Sequence, residues 1–147
     1  MTIKKTIAVL AAAATLSLST LAFAQEAPTA EQTYEDIAAT LGVVPSHFKQ
    51  YPPTAVAGAW AMTKGLLIGE GNTLEPKVKS LINLAVAAQI PCQYCIWLET
   101  KMAKSQGATD AEVSEAVAQA AYVRHWSTVI NGLQIDFETF KTEFGGD

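Results

Sequence analysis

Apolar residues recur every three or four positions along most of this chain, the spacing that places them on one side of a helix. No segment alternates apolar and polar residues for long enough to make a convincing strand. The segment 75–89 shows the pattern most clearly, and its wide apolar face predicts a helix that lies in a core or a subunit interface. The sequence therefore predicts an all-α fold.

Capping residues, glycines and prolines divide this pattern into about six helices. Thr29 is suited to cap the first helix, and Gly42 ends it. Thr109 and Glu112 form a capping box that opens a long helix. The predicted helices span about 30–41, 54–68, 75–89, 92–105, 110–131 and 135–144, with a short helical turn within 43–51.

Residues 1–24 have the pattern of a cleaved signal peptide. Two lysines precede a long uncharged run, which ends in a small-x-small cleavage pattern at Ala22-Phe23-Ala24. We therefore expect residues 25–147 to form one helical domain that is secreted across the inner membrane and located in the periplasm. An uncleaved membrane anchor is the alternative, but the run is rich in Ala and Thr rather than Leu.

The charge balance narrows the choice of partners. Two of the ten basic residues and none of the 14 acidic residues lie within 1–24, so eight basic and 14 acidic residues remain, a formal charge of −6. An acidic domain is poorly suited to nucleic acid or to an anionic membrane surface. We expect neither to be a partner.

Both cysteines of the chain lie just after Pro91, at Cys92 and Cys95. A disulfide between them closes so short a loop that it removes little unfolded-state entropy, so its value is chemical. At a helix start, backbone N–H groups and the helix dipole stabilise a thiolate and favour Cys92 as the more acidic thiol. Redox chemistry is the leading interpretation, and a permanently oxidised, inert disulfide is the alternative.

Three segments follow the pattern of a known family: 81–88, the Cys-Gln-Tyr-Cys run 92–95, and 107–113. Together they resemble the carboxymuconolactone decarboxylase / alkyl hydroperoxidase D (AhpD)-like family over roughly residues 58–131. The resemblance implies a compact helical domain that forms homo-oligomers such as trimers or hexamers. It also implies reduction of a small-molecule hydroperoxide, with Cys95 becoming a sulfenic acid, Cys92 closing the disulfide and an unidentified thiol reductant reopening it.

Two positions depart from the redox members that the chain resembles. Those members carry a histidine four residues after the second cysteine, where this chain has Glu99, and a glutamate twelve residues before the first, where it has Ser80. An ionised Glu99 raises the pKa of the Cys95 thiol, but it can serve as a base if burial raises its own pKa. The alternative is a solvated helix residue, or one paired with Lys101 or Arg124.

His125 is a second candidate base. If the helices on either side of Gly107 pack as an antiparallel hairpin, His125 lies close to the level of Cys92, since a helix rises only about 1.5 Å per residue. A packed core histidine is the alternative.

Other chemistries fit less well. A structural zinc site takes four ligands, more than Cys92 and Cys95 with His125 or Glu99 supply, so we predict no metal or other cofactor. The alternative function is a non-redox lyase of the decarboxylase branch, or an oligomer that binds a small molecule.

Overall fold

The computed structural model describes residues 26–146, and within that range the chain is helical, without strands. The all-α prediction is confirmed. The predicted signal peptide, residues 1–24, lies outside the described residues. The α-helices are α1 (Ala30–Leu41), α2 (Ser46–Gln50), α3 (Val56–Thr63), α4 (Pro76–Gln89), α5 (Gln93–Ser105), α6 (Asp110–Gly132) and α7 (Phe137–Glu143), and a π-helical segment, Lys64–Ile68, follows α3.

Local capping signals place the helix ends where the sequence predicts them. Thr29 and Gln32 form a capping box at the start of α1, and Gly42 ends that helix with φ of 76°. Thr109 and Glu112 form a second box at the start of α6. The Lys77 ammonium lies 2.7 Å from the Glu112 carboxylate and, together with the Thr109 hydrogen bonds, lowers the pKa of Glu112 to about 2.

The helix predicted over 54–68 is wrong in part. α3 starts only at Val56, and after Thr63 the chain continues as the π-helical segment, in which the Gly69 N–H donates to the Lys64 carbonyl at 2.6 Å. In this segment Leu66 is 60% and Leu67 44% exposed. Side chains from outside the segment donate hydrogen bonds to the carbonyls at its C-terminal end.

Two side-chain donors, one nearby and one from α4, hold that end. The Asn72 amide donates to the carbonyls of Gly65 and Gly69, at 2.9 and 2.6 Å. The Lys79 ammonium of α4 donates to the carbonyls of Leu66 and Leu67, at 3.1 and 3.3 Å. Because a helix end leaves carbonyls without helical partners, these donors stabilise the wider turn.

The N-terminal part has its own core, formed by Ile37, Phe48, Val56 and Trp60. The Trp60 ring meets Phe48 edge-on, with centroids 5.7 Å apart. Its indole N–H donates to the Asp36 carboxylate at 2.6 Å, and the Lys64 ammonium binds the same carboxylate. This arrangement fixes α1 against α3.

In the second part α4 is central, because both α5 and α6 pack mainly against it. Leu84 and Ala87 of α4 are buried there. α5 and α6 touch each other only slightly, so the antiparallel hairpin assumed around Gly107 is wrong. Within residues 26–146 no helix is both long and apolar enough to cross a membrane.

Candidate functional site

The cysteine pair lies at the junction of α4 and α5. α4 ends at Gln89, and the Cys92 N–H donates to the Ala87 carbonyl at 3.1 Å. Cys92 is the N-cap of α5, and its sulfur accepts the Cys95 N–H at 3.2 Å. A sulfur in that position is stabilised as a thiolate when reduced, which agrees with the sequence argument that Cys92 is the more acidic thiol.

The two sulfurs are bonded to each other in this structure, with the Cα atoms 5.3 Å apart. Both cysteines are partly buried. Next to them Tyr94 is 79% and Trp97 65% exposed, so the outer face of α5 is open at the disulfide. A small oxidant or a thiol can approach from that side.

Glu99 lies one turn beyond Cys95, on the side of α5 that faces α4. Burial raises the pKa of the Glu99 carboxyl, and the nearby polar side chains of Asn83 and Ser80 act in the opposite direction. The Lys101 ammonium instead lies over Trp97, 5.2 Å from the ring centroid. Glu99 is therefore a partly buried carboxyl close to neutral polar side chains, and its role as a base stays a prediction.

The sequence argument missed Asn83 as a neighbour of Glu99. Ser80, noted only as a departure from the family pattern, is 5% exposed and donates to the Gln106 side-chain oxygen at 3.0 Å. A usable signal was present, because Ser80 and Asn83 are polar residues one turn apart within an otherwise apolar stretch of α4. The sequence did not show which side of α4 packs against α5.

His125 lies on α6, the helix that packs against α4. The side chain is exposed on α6, and its ring packs against Trp126 with centroids 5.2 Å apart. Trp126 is itself 44% exposed. The α6 side chain that reaches the end of α4 is Arg124, whose guanidinium donates to the Gln89 side-chain and backbone oxygens at 2.6 and 3.2 Å. A catalytic role for His125 stays a prediction.

A groove of about 410 Å³ lies between the π-helical segment and α4. Its polar lining includes Lys79 and Asn83, and Asn83 also lies near Glu99. The apolar lining residues are Met62, Leu66, Leu67, Leu74 and Ile82. The groove therefore extends from an exposed apolar surface to Asn83.

Among residues 26–146, no three His, Cys, Asp or Glu side chains converge in a way that could hold a metal ion.

Comparison with known proteins gives a consistent assignment. No curated protein matches the chain. The solved structure of the alkylhydroperoxidase AhpD core from Rhodospirillum rubrum is similar, with 28% sequence identity, a TM-score of 0.64, and coverage of 76% of this chain and 85% of that one. The model of the carboxymuconolactone decarboxylase family matches residues 53–136, which contain the cysteine pair, Glu99 and His125. The chain belongs to the carboxymuconolactone decarboxylase family.

Proposed function

We propose that this protein is an exported thiol oxidoreductase that reduces a small-molecule hydroperoxide through Cys92 and Cys95. The observation that carries the proposal is the disulfide at the exposed start of α5, with the Glu99 carboxyl one turn away. The similar AhpD structure and the family assignment support it. Export rests on the N-terminal sequence pattern alone.

In the proposed cycle, Glu99 accepts the Cys95 thiol proton and the thiolate attacks the distal peroxide oxygen. The O–O bond breaks, Cys95 becomes a sulfenic acid, and the leaving alkoxide takes the proton from Glu99. The Cys92 thiol then displaces water from the sulfenic acid and closes the disulfide. A dithiol reductant supplies two electrons and two protons to restore both thiols.

Two features of α5 bear on the roles of the cysteines. The N-cap position favours the thiolate on Cys92. Glu99, however, follows Cys95 by four residues, so their Cβ atoms lie roughly 6 Å apart on one helix face, whereas Cys92 is a further turn away. We assign the attack to Cys95 because the base is next to it, as in the redox members that the sequence resembles.

The direct test follows the oxidation of the reduced protein by an equimolar alkyl hydroperoxide, with mass spectrometry to detect the Cys92–Cys95 disulfide. We expect oxidation at least about a hundredfold faster than that of a free cysteine, the contribution that a positioned base typically makes. Reduced protein in which both cysteines are alkylated beforehand is the control. Oxidation at the free-cysteine rate would eliminate the peroxidase proposal.

The same assay identifies the base. Glu99→Gln keeps the shape of the side chain but removes the proton acceptor, so we expect oxidation to slow by about a hundredfold or more. Burial raises the pKa of Glu99. As the pH falls, the wild-type oxidation rate should therefore begin to decline at a higher pH than it would with an unperturbed glutamate as the base. Glu115→Gln, at an exposed position on α6, is the matched control. If His125→Ala slows oxidation and Glu99→Gln does not, the base is the histidine.

The groove beside α4 favours one alternative function, a non-redox lyase or the binding of a small molecule. Its apolar walls and the Lys79 ammonium fit an apolar molecule that carries an anionic group. This alternative does not use the cysteines. A protein that oxidises no faster than free cysteine but binds such a molecule would support it.

We also propose that the protein is a homo-oligomer, as a trimer or hexamer. Val78, Ile82 and Val86 lie along one face of α4 and are 39%, 47% and 54% exposed in the single chain. An apolar row of this kind is typical of a surface that another subunit covers.

A further inference from the structure

We propose that a groove between the C-terminal end of α4 and α6 binds a small organic acid, with the carboxylate on the Arg124 guanidinium and the apolar body against the groove walls. This groove, called the Arg124 groove below, has a volume of about 430 Å³ and shares no lining residue with the groove beside the π-helical segment. The site uses neither cysteine and is independent of the proposed peroxidase cycle.

The Arg124 groove combines apolar walls with a few polar groups. Its large apolar side chains, Val86, Ile90 and Val123, are each more than half exposed in the single chain. Its polar lining residues are Gln89, Arg124 and Ser127. Small-molecule sites are typically concave and mostly apolar, with a small number of polar groups and a volume of about 300–1,000 Å³. The groove therefore has the size and the lining of a site for a small molecule.

Two hydrogen bonds fix the Arg124 side chain in the groove. Its Nε atom donates to the Gln89 side-chain oxygen at 2.6 Å, and its Nη2 atom donates to the Gln89 backbone oxygen at 3.2 Å. The Gln89 side chain is itself held, since its amide donates to the Ala120 carbonyl. A guanidinium has more N–H groups than these two bonds use. Because the guanidinium is oriented before a ligand arrives, binding costs less ordering entropy.

The charge of Arg124 is not neutralised by its partners. Arg124 is the single arginine of the chain, and both of its acceptors are neutral. Within residues 26–146, the cations that pair with carboxylates are lysines, namely Lys64, Lys77, Lys104 and Lys141. None of the described residues that line the Arg124 groove is acidic. A guanidinium binds a carboxylate through strong, charge-assisted hydrogen bonds, so the groove suits an organic acid.

Octanoate is the probe that tests this site, because it carries one carboxylate on an apolar chain. Its binding to the disulfide form of the protein is measured by isothermal titration calorimetry, without peroxide or reductant. Octanamide has the same chain without the charge and is the matched ligand control. We expect octanoate to bind at least about tenfold more tightly than octanamide, because a hydrogen bond to a charged group is stronger than one to a neutral group.

Three variants test the role of the charge. Arg124→Gln removes the cation, and we expect it to bind octanoate about tenfold or more weakly. Val123→Asp adds a carboxylate to an exposed wall and should also weaken octanoate binding, which keeps the test available if Arg124→Gln disturbs α4. Lys49→Gln, at an exposed position on α2, is the matched control and should bind octanoate as tightly as the wild type.

NMR shift changes locate the bound octanoate. We expect them at Val123 and Ser127 rather than at Leu66 in the other groove. Equal binding of octanoate and octanamide, unchanged binding in Arg124→Gln, or shift changes confined to the other groove would each overturn the inference. Val86 also belongs to the α4 row proposed to contact another subunit. If a neighbouring copy fills the groove, the wild-type protein will not bind octanoate, and this result would overturn the inference as well.

Discussion

Replacing Cys95 with serine is expected to abolish turnover of an alkyl hydroperoxide. Serine is nearly isosteric with cysteine, but its hydroxyl is not deprotonated at neutral pH and cannot be oxidised to a sulfenic acid. The remaining Cys92 has no partner with which to close a disulfide, since the chain has two cysteines. The measurement is steady-state peroxide consumption with a dithiol reductant present.

Cys92→Ser is the informative companion variant. With Cys95 intact, a single oxidation should still occur at close to the wild-type rate and leave a sulfenic acid on Cys95, which a sulfenic-acid trapping reagent and mass spectrometry detect. The disulfide cannot form in this variant. The opposite result is a sulfenic acid that forms quickly on Cys92 in the Cys95→Ser variant but slowly on Cys95 in the Cys92→Ser variant. It would show that Cys92 attacks the peroxide and that its N-cap position decides reactivity.

Trp60→Ala is expected to cause the largest loss of stability among single substitutions in the N-terminal core. Trp60 is 3% exposed, contacts Phe48 and donates its indole N–H to Asp36. Removing a buried tryptophan costs roughly 3–5 kcal/mol, a large part of the ~5–15 kcal/mol that stabilises a typical domain. Thermal unfolding should shift down by roughly 10–20 °C.

The matched control for that substitution is Trp97→Ala, because the Trp97 side chain is 65% exposed on α5. A surface substitution typically changes stability by no more than about 0.5 kcal/mol. If the two variants unfold at the same temperature, Trp60 does not hold α1 against α3 in the way the structure indicates.

The sequence was sufficient for the helices because the signals that start and end them are local. The Thr109–Glu112 capping box and the glycine at Gly42 act through backbone groups within one turn, so they needed no knowledge of the tertiary fold. The π-helical segment was not foreseen, since Asn72 and the more distant Lys79 supply the donors that hold its end. The helix propensities of the residues within the segment do not predict these contacts.

By itself, therefore, the sequence determined the all-α class, the position of the cysteine pair at a helix start, and Glu99 one turn beyond it. Only the tertiary structure decided which side chains share the site with Glu99. It placed Ser80 and Asn83 against α5 and turned Arg124, rather than His125, toward the end of α4. The physical reason is that spacing along a helix fixes which residues share a face, whereas the packing of helices around α4 decides what each face meets.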